Sequence, residues 1–364
     1  MPRSNMKIYI KVFGCTANKA DAEVMKELLK KEHQLVNSEK EAQLLIVLTC
    51  GVKGSTENKI LNYLSKIKNS KVIIAGCLTK IISKTLEKSF PNFSLIGPDQ
   101  VGDILEIVNE IREGKRVIEL SEKKCPFITY NSKEKIQPIL VAQGCIGNCT
   151  YCATKLARGN LKSRSIDEIK KAVETALKNG ANKIYLTAQD MGVYGLDINT
   201  NLVNLLKELV QIPGTFKIRV GMMNPKYAKL MSKELVEIFK NPKIIKFLHI
   251  PVQSGNNQVL KDMGRNYTVK DFVSVVNLFR KEIPNITIST DIICGFPTES
   301  EKQFEDTLKL IKKIKPQVLN FTKFYARPGT QAKTMKQLPN DIIKERSRKV
   351  FELFKKIKQG YLNK

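Results

Sequence analysis

Cys145, Cys149 and Cys152 stand as Cys-x-x-x-Cys-x-x-Cys inside the run GCIGNCTYC. Three thiolates at that spacing can hold three irons of a four-iron cluster and leave the fourth iron open. Zinc sites favour paired Cys-x-x-Cys units or added histidines. A bacterial ferredoxin run has a different spacing, with a fourth cysteine close behind. An open iron on a reducing cluster is a place where S-adenosylmethionine can be split into a radical. Three cysteines on an ordinary surface loop are the alternative left by spacing alone.

Cys15, Cys50 and Cys77 form a second group, scattered in sequence but equivalent in position. Lys7–Val12, Leu44–Leu48 and Lys71–Ala75 read as strands, the last two as continuous apolar runs of the kind buried on both faces. Each run ends at one of these cysteines, and each cysteine has a glycine beside it: Gly14, Gly51 and Gly76. Helical patterns follow, from Asn18 to Lys31 and from Glu57 to Ile67. Strand–helix alternation of this kind predicts a parallel, doubly wound sheet. The carboxyl ends of its strands then share the edge where ligands bind. Glycine would let backbone approach a bulky cluster there. Three buried structural thiols are the alternative, because free cysteine behaves as a small hydrophobe.

The chain has 364 residues and a formal net charge of +27, from 62 Lys and Arg against 35 Asp and Glu. That excess suits a polyanion such as RNA or DNA, although the abundance of Lys, Ile and Asn also fits a general codon bias. No apolar run approaches the roughly 18 residues of a membrane span, and the start MPRSNMKIYIKVFG lacks a signal-peptide pattern. These features predict a cytoplasmic protein without a membrane partner, whose cysteines are metal ligands or buried thiols rather than disulfides. The only histidines, His33 and His249, read as a solvated surface residue and a satisfied core residue. Cys125 reads as incidental and Cys294 as core.

The expected organisation is a domain over residues 1–112, a polar linker at 113–137 with a strand near Arg116–Leu120, a second α/β domain over 138–332, and a basic helix at 333–364. In the second domain, strands are expected at Ile139–Gln143, Lys183–Gln189, Phe216–Met223, Lys246–Gln253, Ile286–Phe296 and Val318–Ala326. Helices are expected at Ile166–Asn179, Ala228–Lys240, Val269–Lys281 and Glu301–Ile314. Six βα units predict a partial barrel open on one side. The Cys145–Cys152 loop follows its first strand, at the face where barrel active sites lie.

With these motifs the chain resembles the radical S-adenosylmethionine enzymes, and the Cys15/Cys50/Cys77 domain narrows the resemblance to the methylthiotransferases. Further matching segments are TCGVKGSTENK, CTYCATKLARGN, HIPVQSGNNQVLKDMGRNY, TDIICGFPTES and FYARPGT. KLARGNLKS and TAQDMGVYGLDI are similar to the archaeal and eukaryotic members that act on threonylcarbamoyladenosine in tRNA, just 3′ of the anticodon. Other members act on isopentenyladenosine or on a ribosomal protein. An iron–sulfur RNA-binding protein without catalysis is a reading of a different class.

The resemblance implies two [4Fe-4S] clusters and S-adenosylmethionine as cofactors. Cys145, Cys149 and Cys152 would hold the cluster that cleaves S-adenosylmethionine, fed by a reducing electron donor. Cys15, Cys50 and Cys77 would hold a second, sulfur-bearing cluster whose sulfur source is unspecified. Tyr151, Gln189, Asp190, Arg219, Gln253 and Ser254 are the expected cofactor contacts. Gln189-Asp190 departs from the Gly-Gly-Glu form common in radical enzymes. Arg158, Lys162, Arg164 and Arg327 are the expected contacts to the tRNA anticodon loop, which is read through splayed bases, stacking and phosphates. Residues 333–364, with ten Lys and Arg against three Asp and Glu, are expected to track the RNA backbone. Members of the family usually carry a further C-terminal β-barrel that grips tRNA, and no strand-rich module follows the last expected helix here.

Overall fold

The computed structural model describes residues 5–51, 54–68, 71–123 and 134–362, so Cys125 lies outside the described residues. The chain forms two compact units: Met1–Cys145 with Ala153–Asn182, and Ile146–Cys152 with Lys183–Lys364.

The first unit opens with β1 (Lys7–Val12), α1 (Thr16–Leu29), β2 (Gln34–Leu35), β3 (Leu44–Thr49), α2 (Gly54–Leu64), β4 (Lys71–Gly76), α3 (Cys77–Ile81), α4 (Ser83–Ser89), β5 (Ser94–Ile96), α5 (Ile104–Arg112) and β6 (Ile118–Glu119). One sheet runs in the order β2-β1-β3-β4-β5-β6, with every pair parallel. Strand β3 shows why it is doubly wound. Leu44, Ile46 and Leu48 point to one face and pack with Met25 and Leu29 of α1 and Ile104, Ile107 and Val108 of α5. Leu45 and Val47 point to the other and pack with Ile60 and Leu64 of α2, Leu78 of α3 and Leu86 of α4. Each such side chain, fully removed from water, contributes about 1.5–3 kcal/mol. That two-sided burial is what the unbroken apolar run encodes.

The order reverses between β1 and β3: the chain moves outward to β2 on one side and to β4 and β5 on the other. This is the topological switch point, where the carboxyl ends of the strands leave a crevice. Cys15 follows β1 and Cys50 follows β3, so these two residues flank it.

The same unit continues with β7 (Ile136–Leu140), β8 (Ala142–Gln143), α6 (Thr154–Arg158), β9 (Lys162–Ser163) and α7 (Ile166–Lys178). The strand expected at Ile139–Gln143 is therefore two pieces, and β8 pairs antiparallel with β9. A capping box between Ser165 and Glu168 starts α7.

The second unit contains β10 (Lys183–Thr187), α8 (Leu202–Gln211), β11 (Lys217–Val220), α9 (Pro225–Leu230), α10 (Ser232–Lys240), β12 (Phe247–His249), α11 (Asn257–Asp262), α12 (Val269–Glu282), β13 (Thr287–Cys294), α13 (Glu301–Ile314), β14 (Val318–Lys323) and α14 (Asn340–Leu362). Its strands pair in parallel, β10 with β11 and β12-β13-β14 in sequence. This repeated strand–helix pattern supplies five of the six βα units expected, and the first expected strand, Ile139–Gln143, falls in the first unit.

Two elements differ from expectation for local reasons. The helix expected at Ala228–Lys240 starts earlier and breaks. Asn224 accepts from the Lys226 amide and caps Pro225, while Met231 (φ −105°, ψ 16°) leaves helical geometry between α9 and α10. The strand expected at Lys246–Gln253 stops at His249. Gln253 then sits at φ +72°, and a single bridge to Ile292 keeps it in register. No described helix is long and apolar enough to cross a membrane.

Candidate functional site

In the first unit, three strand ends carry the three cysteines. Cys50 and Cys77 are buried and Cys15 is exposed. Asn18, fully buried one turn into α1, ties the ends together. The Cys15 thiol donates to its Oδ1 at 3.3 Å, and its Nδ2 donates to the carbonyl of Thr49 at 2.9 Å. Thr49 in turn donates its hydroxyl to the Ala75 carbonyl at 2.7 Å, so β1, β3 and β4 are linked just before their cysteines. Gly76 takes φ +94°, and a Cβ there would stand 2.8 Å from the Thr49 carbonyl oxygen. Only glycine allows β3 and β4 to end this close together. A Cβ added at Gly14 would lie 3.1 Å from Cys50 Cβ, which measures how near the β1 loop comes to the next cysteine.

Cys77 has the most developed surroundings. Arg158, 1% exposed at the end of α6, donates through Nε to Cys77 Sγ at 3.2 Å and through Nη2 to Asp21 Oδ2 at 2.5 Å. Burial pushes the Cys77 thiol up, and the Arg158 guanidinium pulls it back toward the thiolate. Asn18 and Asp21 were missed by the sequence reading. Cys15, Asn18 and Asp21 recur every three residues along α1, a spacing that puts them on one helix face, and that was the signal.

In the second unit, the Ile146–Cys152 loop rests on the end of α11. The Thr150 amide donates to the Met263 carbonyl at 3.0 Å and the Thr150 hydroxyl to the Asp262 carbonyl at 2.9 Å. Gly264, at φ +68°, leaves room: a Cβ there would meet the Asn148 carbonyl oxygen at 2.8 Å. Arg265 donates to Cys149 Sγ at 3.3 Å, to the Tyr267 hydroxyl at 3.0 Å and to the Pro251 carbonyl at 3.2 Å. Burial pushes the Tyr267 hydroxyl up to about 12, so it stays protonated and donates to the Val252 carbonyl at 2.8 Å. Arg265 was also missed, although it stands in the quoted segment HIPVQSGNNQVLKDMGRNY. Cys145 closes the first unit, its amide donating to the Gly159 carbonyl at 3.2 Å.

The expected cofactor contacts divide. Tyr151 packs edge-on to Phe296 at 6.4 Å, within an apolar cluster with Val259, Met263 and Phe324. Gln189 is half-buried two residues beyond β10. Arg219 is half-buried with its guanidinium 4.4 Å from the Phe247 ring centroid and 5.2 Å from that of Tyr185. Asp190 acts as a cap: its Oδ1 accepts from the amides of Gly192 and Asn224 at 2.9 and 3.0 Å, and burial raises its pKa. Ser254 is wholly buried, accepting from the Asn256 amide at 3.2 Å beside the Thr307 hydroxyl. Gln253 uses its backbone, donating to the Asp291 carbonyl and accepting from Ile293.

The RNA expectations need correction. Arg158 is committed to Asp21 and Cys77. Arg164 and Arg327 are 9% and 2% exposed, the latter over the Tyr325 ring. Lys162 is partly exposed, donating to the Lys123 carbonyl with Asp99 3.8 Å away. Arg158, Arg164 and Arg327 are too covered to meet a phosphate backbone as they stand, whereas Lys162 stays partly open. His33 is buried rather than solvated: it accepts from the Met6 amide, and burial lowers its pKa. His249 is satisfied as expected, 3.0 Å from Asp291. Cys294 is core, its thiol pushed up to about 12 by burial.

Among the described residues, no group of three or more His, Cys, Asp or Glu side chains is closed to metal-binding geometry. The donor chemistry nevertheless fits iron–sulfur clusters. Each set offers three cysteines and no competing histidine, and in each set one sulfur receives an arginine N–H.

Two family models match the chain: the radical SAM superfamily over residues 139–311, and an uncharacterized protein family, UPF0004, over residues 7–97. A probable threonylcarbamoyladenosine tRNA methylthiotransferase of Pyrococcus horikoshii is 40% identical over 352 residues, covering 94% of this chain and 82% of that protein. The chain belongs to the threonylcarbamoyladenosine tRNA methylthiotransferase family. The human threonylcarbamoyladenosine tRNA methylthiotransferase is 37% identical, covering 96% of this chain and 62% of that protein. The radical S-adenosylmethionine methyltransferase TsrM of Kitasatospora setae, solved with cobalamin and a [4Fe-4S] cluster, shares the fold. Its TM-score is 0.66 at 14% identity, over 90% of this chain and 77% of that one. Each cysteine set falls inside one matched region: Cys15, Cys50 and Cys77 in the first 97 residues, and Cys145, Cys149 and Cys152 within 139–311.

Proposed function

We propose that this protein is a tRNA-modifying methylthiotransferase that converts N6-threonylcarbamoyladenosine beside the anticodon to its 2-methylthio derivative. The observation that carries the two-site reading is the gathering of Cys15, Cys50 and Cys77 at the carboxyl ends of β1, β3 and β4, around the switch point. A protein that only generated a radical would need Cys145, Cys149 and Cys152 and nothing at that edge.

Cys145, Cys149 and Cys152 would hold one [4Fe-4S] cluster, and Cys15, Cys50 and Cys77 a second. When bound, the first supplies the electron that cleaves S-adenosylmethionine, and the second supplies a site for the sulfur to be transferred. The target C–H bond is aromatic and has little polar reactivity, which is why radical chemistry is needed. The residues' own work is positional. Gly264 and Arg265 seat the loop around Cys149, and Tyr151 and Phe296 give it an apolar backing. Asn18 fixes Cys15 against β3, and Arg158 holds the sulfur of Cys77. Tyr151, Gln189 and Arg219 are the side chains proposed to meet S-adenosylmethionine.

With Arg158, Arg164 and Arg327 buried, phosphate contacts fall to the solvent-facing cations of α14: Lys344, Arg348, Lys355, Lys356 and Lys358. The test is mass spectrometry of nucleosides from tRNA incubated with anaerobically reconstituted protein, S-adenosylmethionine and a reductant. Gain of the 2-methylthio mass on threonylcarbamoyladenosine supports the reading. An unmodified threonylcarbamoyladenosine beside active cleavage of S-adenosylmethionine refutes it.

A further inference from the structure

Arg158 is among the largest fully buried side chains of the protein. An unpaired guanidinium in the interior is costly, and a buried ion pair gains little over well-packed apolar residues. Stability alone therefore does not explain it. Asp21 receives Nη2 at 2.5 Å and Nη1 at 3.5 Å, which neutralises the charge and fixes the plane of the guanidinium. Nε, on the other edge of the guanidinium, then donates to Cys77 Sγ at 3.2 Å. A lysine would place a mobile point charge here; the planar fork held by a carboxylate places a directed N–H.

The three sulfurs of this set are thus not equivalent. Cys15 donates its thiol to the neutral Asn18 carboxamide, whereas Cys77 accepts from a guanidinium. Hydrogen bonds to cluster sulfurs, and the groups that orient the ligands, set reduction potential and affinity.

We propose that the Arg158–Asp21 pair is a positioning device for Cys77, orienting its sulfur and raising the reduction potential of the cluster held by Cys15, Cys50 and Cys77. The proposal rests on the two-cluster reading above.

The test uses the full chain with Cys145, Cys149 and Cys152 all changed to Ala, reconstituted anaerobically, so that the remaining cluster alone contributes to an EPR-monitored redox titration. Arg158→Lys keeps a cation for Asp21 and removes the directed Nε–H; the midpoint potential is expected to shift negative with iron retained. The double change Asp21→Asn, Arg158→Gln removes both charges together and separates sulfur contact from charge balance; its potential is also expected below that of the parent. A potential unmoved in Arg158→Lys, or restored to the parent value in the double variant, overturns the proposal and leaves the pair a structural one. A parent that binds no iron overturns instead the two-cluster reading beneath it, a result visible before any Arg158 variant is made.

Discussion

Nη1 of Arg265 donates to the sulfur of Cys149 at 3.3 Å, across 116 residues of chain. The same guanidinium holds the Tyr267 hydroxyl and the Pro251 carbonyl, so its position is fixed from three sides. Among the described residues it has no carboxylate within ion-pairing distance, in contrast to Arg158. Arg265→Gln is expected to lower iron retention at the Cys145/Cys149/Cys152 set, or the rate of 5′-deoxyadenosine release, by about 10- to 100-fold, the usual consequence of losing a group that orients a metal ligand. Iron assay and product chromatography on the reconstituted variant read both; values within twofold of the wild type would remove Arg265 from the site.

Exposed cations on α14 give a salt-dependence test. Lys355, Lys356 and Lys358 face solvent. The combined change Lys355→Glu, Lys356→Glu, Lys358→Glu is expected to weaken tRNA binding for every tRNA sequence alike and to flatten the plot of log affinity against log salt by about one unit per lysine in contact. Filter binding across a salt series checks this. An unchanged slope would place the RNA elsewhere on the surface.

Helix α14 is itself pinned by a buried pair. Arg346 donates to Glu299 at 2.9 Å, and both are under 5% exposed. Burial lifts the Glu299 carboxyl from 4.5 to about 7, with Arg346 and the Gly295 amide pulling the other way. A carboxyl so raised keeps its proton in the folded chain at pH values where the unfolded chain has lost it. Its contribution is therefore fully present below about 4.5 and declines as pH rises to about 7, by at most about 3 kcal/mol. Urea unfolding of wild type and Glu299→Gln at pH 5 and pH 7.5 should show the wild type losing ground to the variant at the higher pH. At pH 7.5, where the carboxyl is ionised, Arg346→Met strands it and should cost about 3–5 kcal/mol.

The strands that carry the cysteines were legible because continuous apolar runs such as Leu44–Leu48 have one stable solution, burial on both faces, and because each run ends at a Gly-Cys or Cys-Gly step. The arginines were not legible. Charge and sequence proximity to Cys152 put Arg158 at the RNA, but its partner Asp21 lies 137 residues away, and nothing local announces that pairing. The local contacts of Asp190 and Ser254 were not legible for a related reason. A polar residue past a strand end is as well suited to cap the next turn as to hold a ligand, and here backbone amides took both side chains. His33 was assigned to solvent from its place at a helix end, where Met6 covers it.

The central claim is that the two cysteine sets do different jobs, and parallel product analysis of their alanine variants tests it most directly. 5′-Deoxyadenosine and the 2-methylthio nucleoside are measured together after incubation with tRNA, S-adenosylmethionine and reductant. Changing Cys145, Cys149 and Cys152 to Ala should abolish both products. Changing Cys15, Cys50 and Cys77 to Ala should preserve 5′-deoxyadenosine and abolish the methylthio nucleoside. Methylthio product from the second set, or loss of 5′-deoxyadenosine in it despite an intact Cys145/Cys149/Cys152 cluster, would contradict the division of labour.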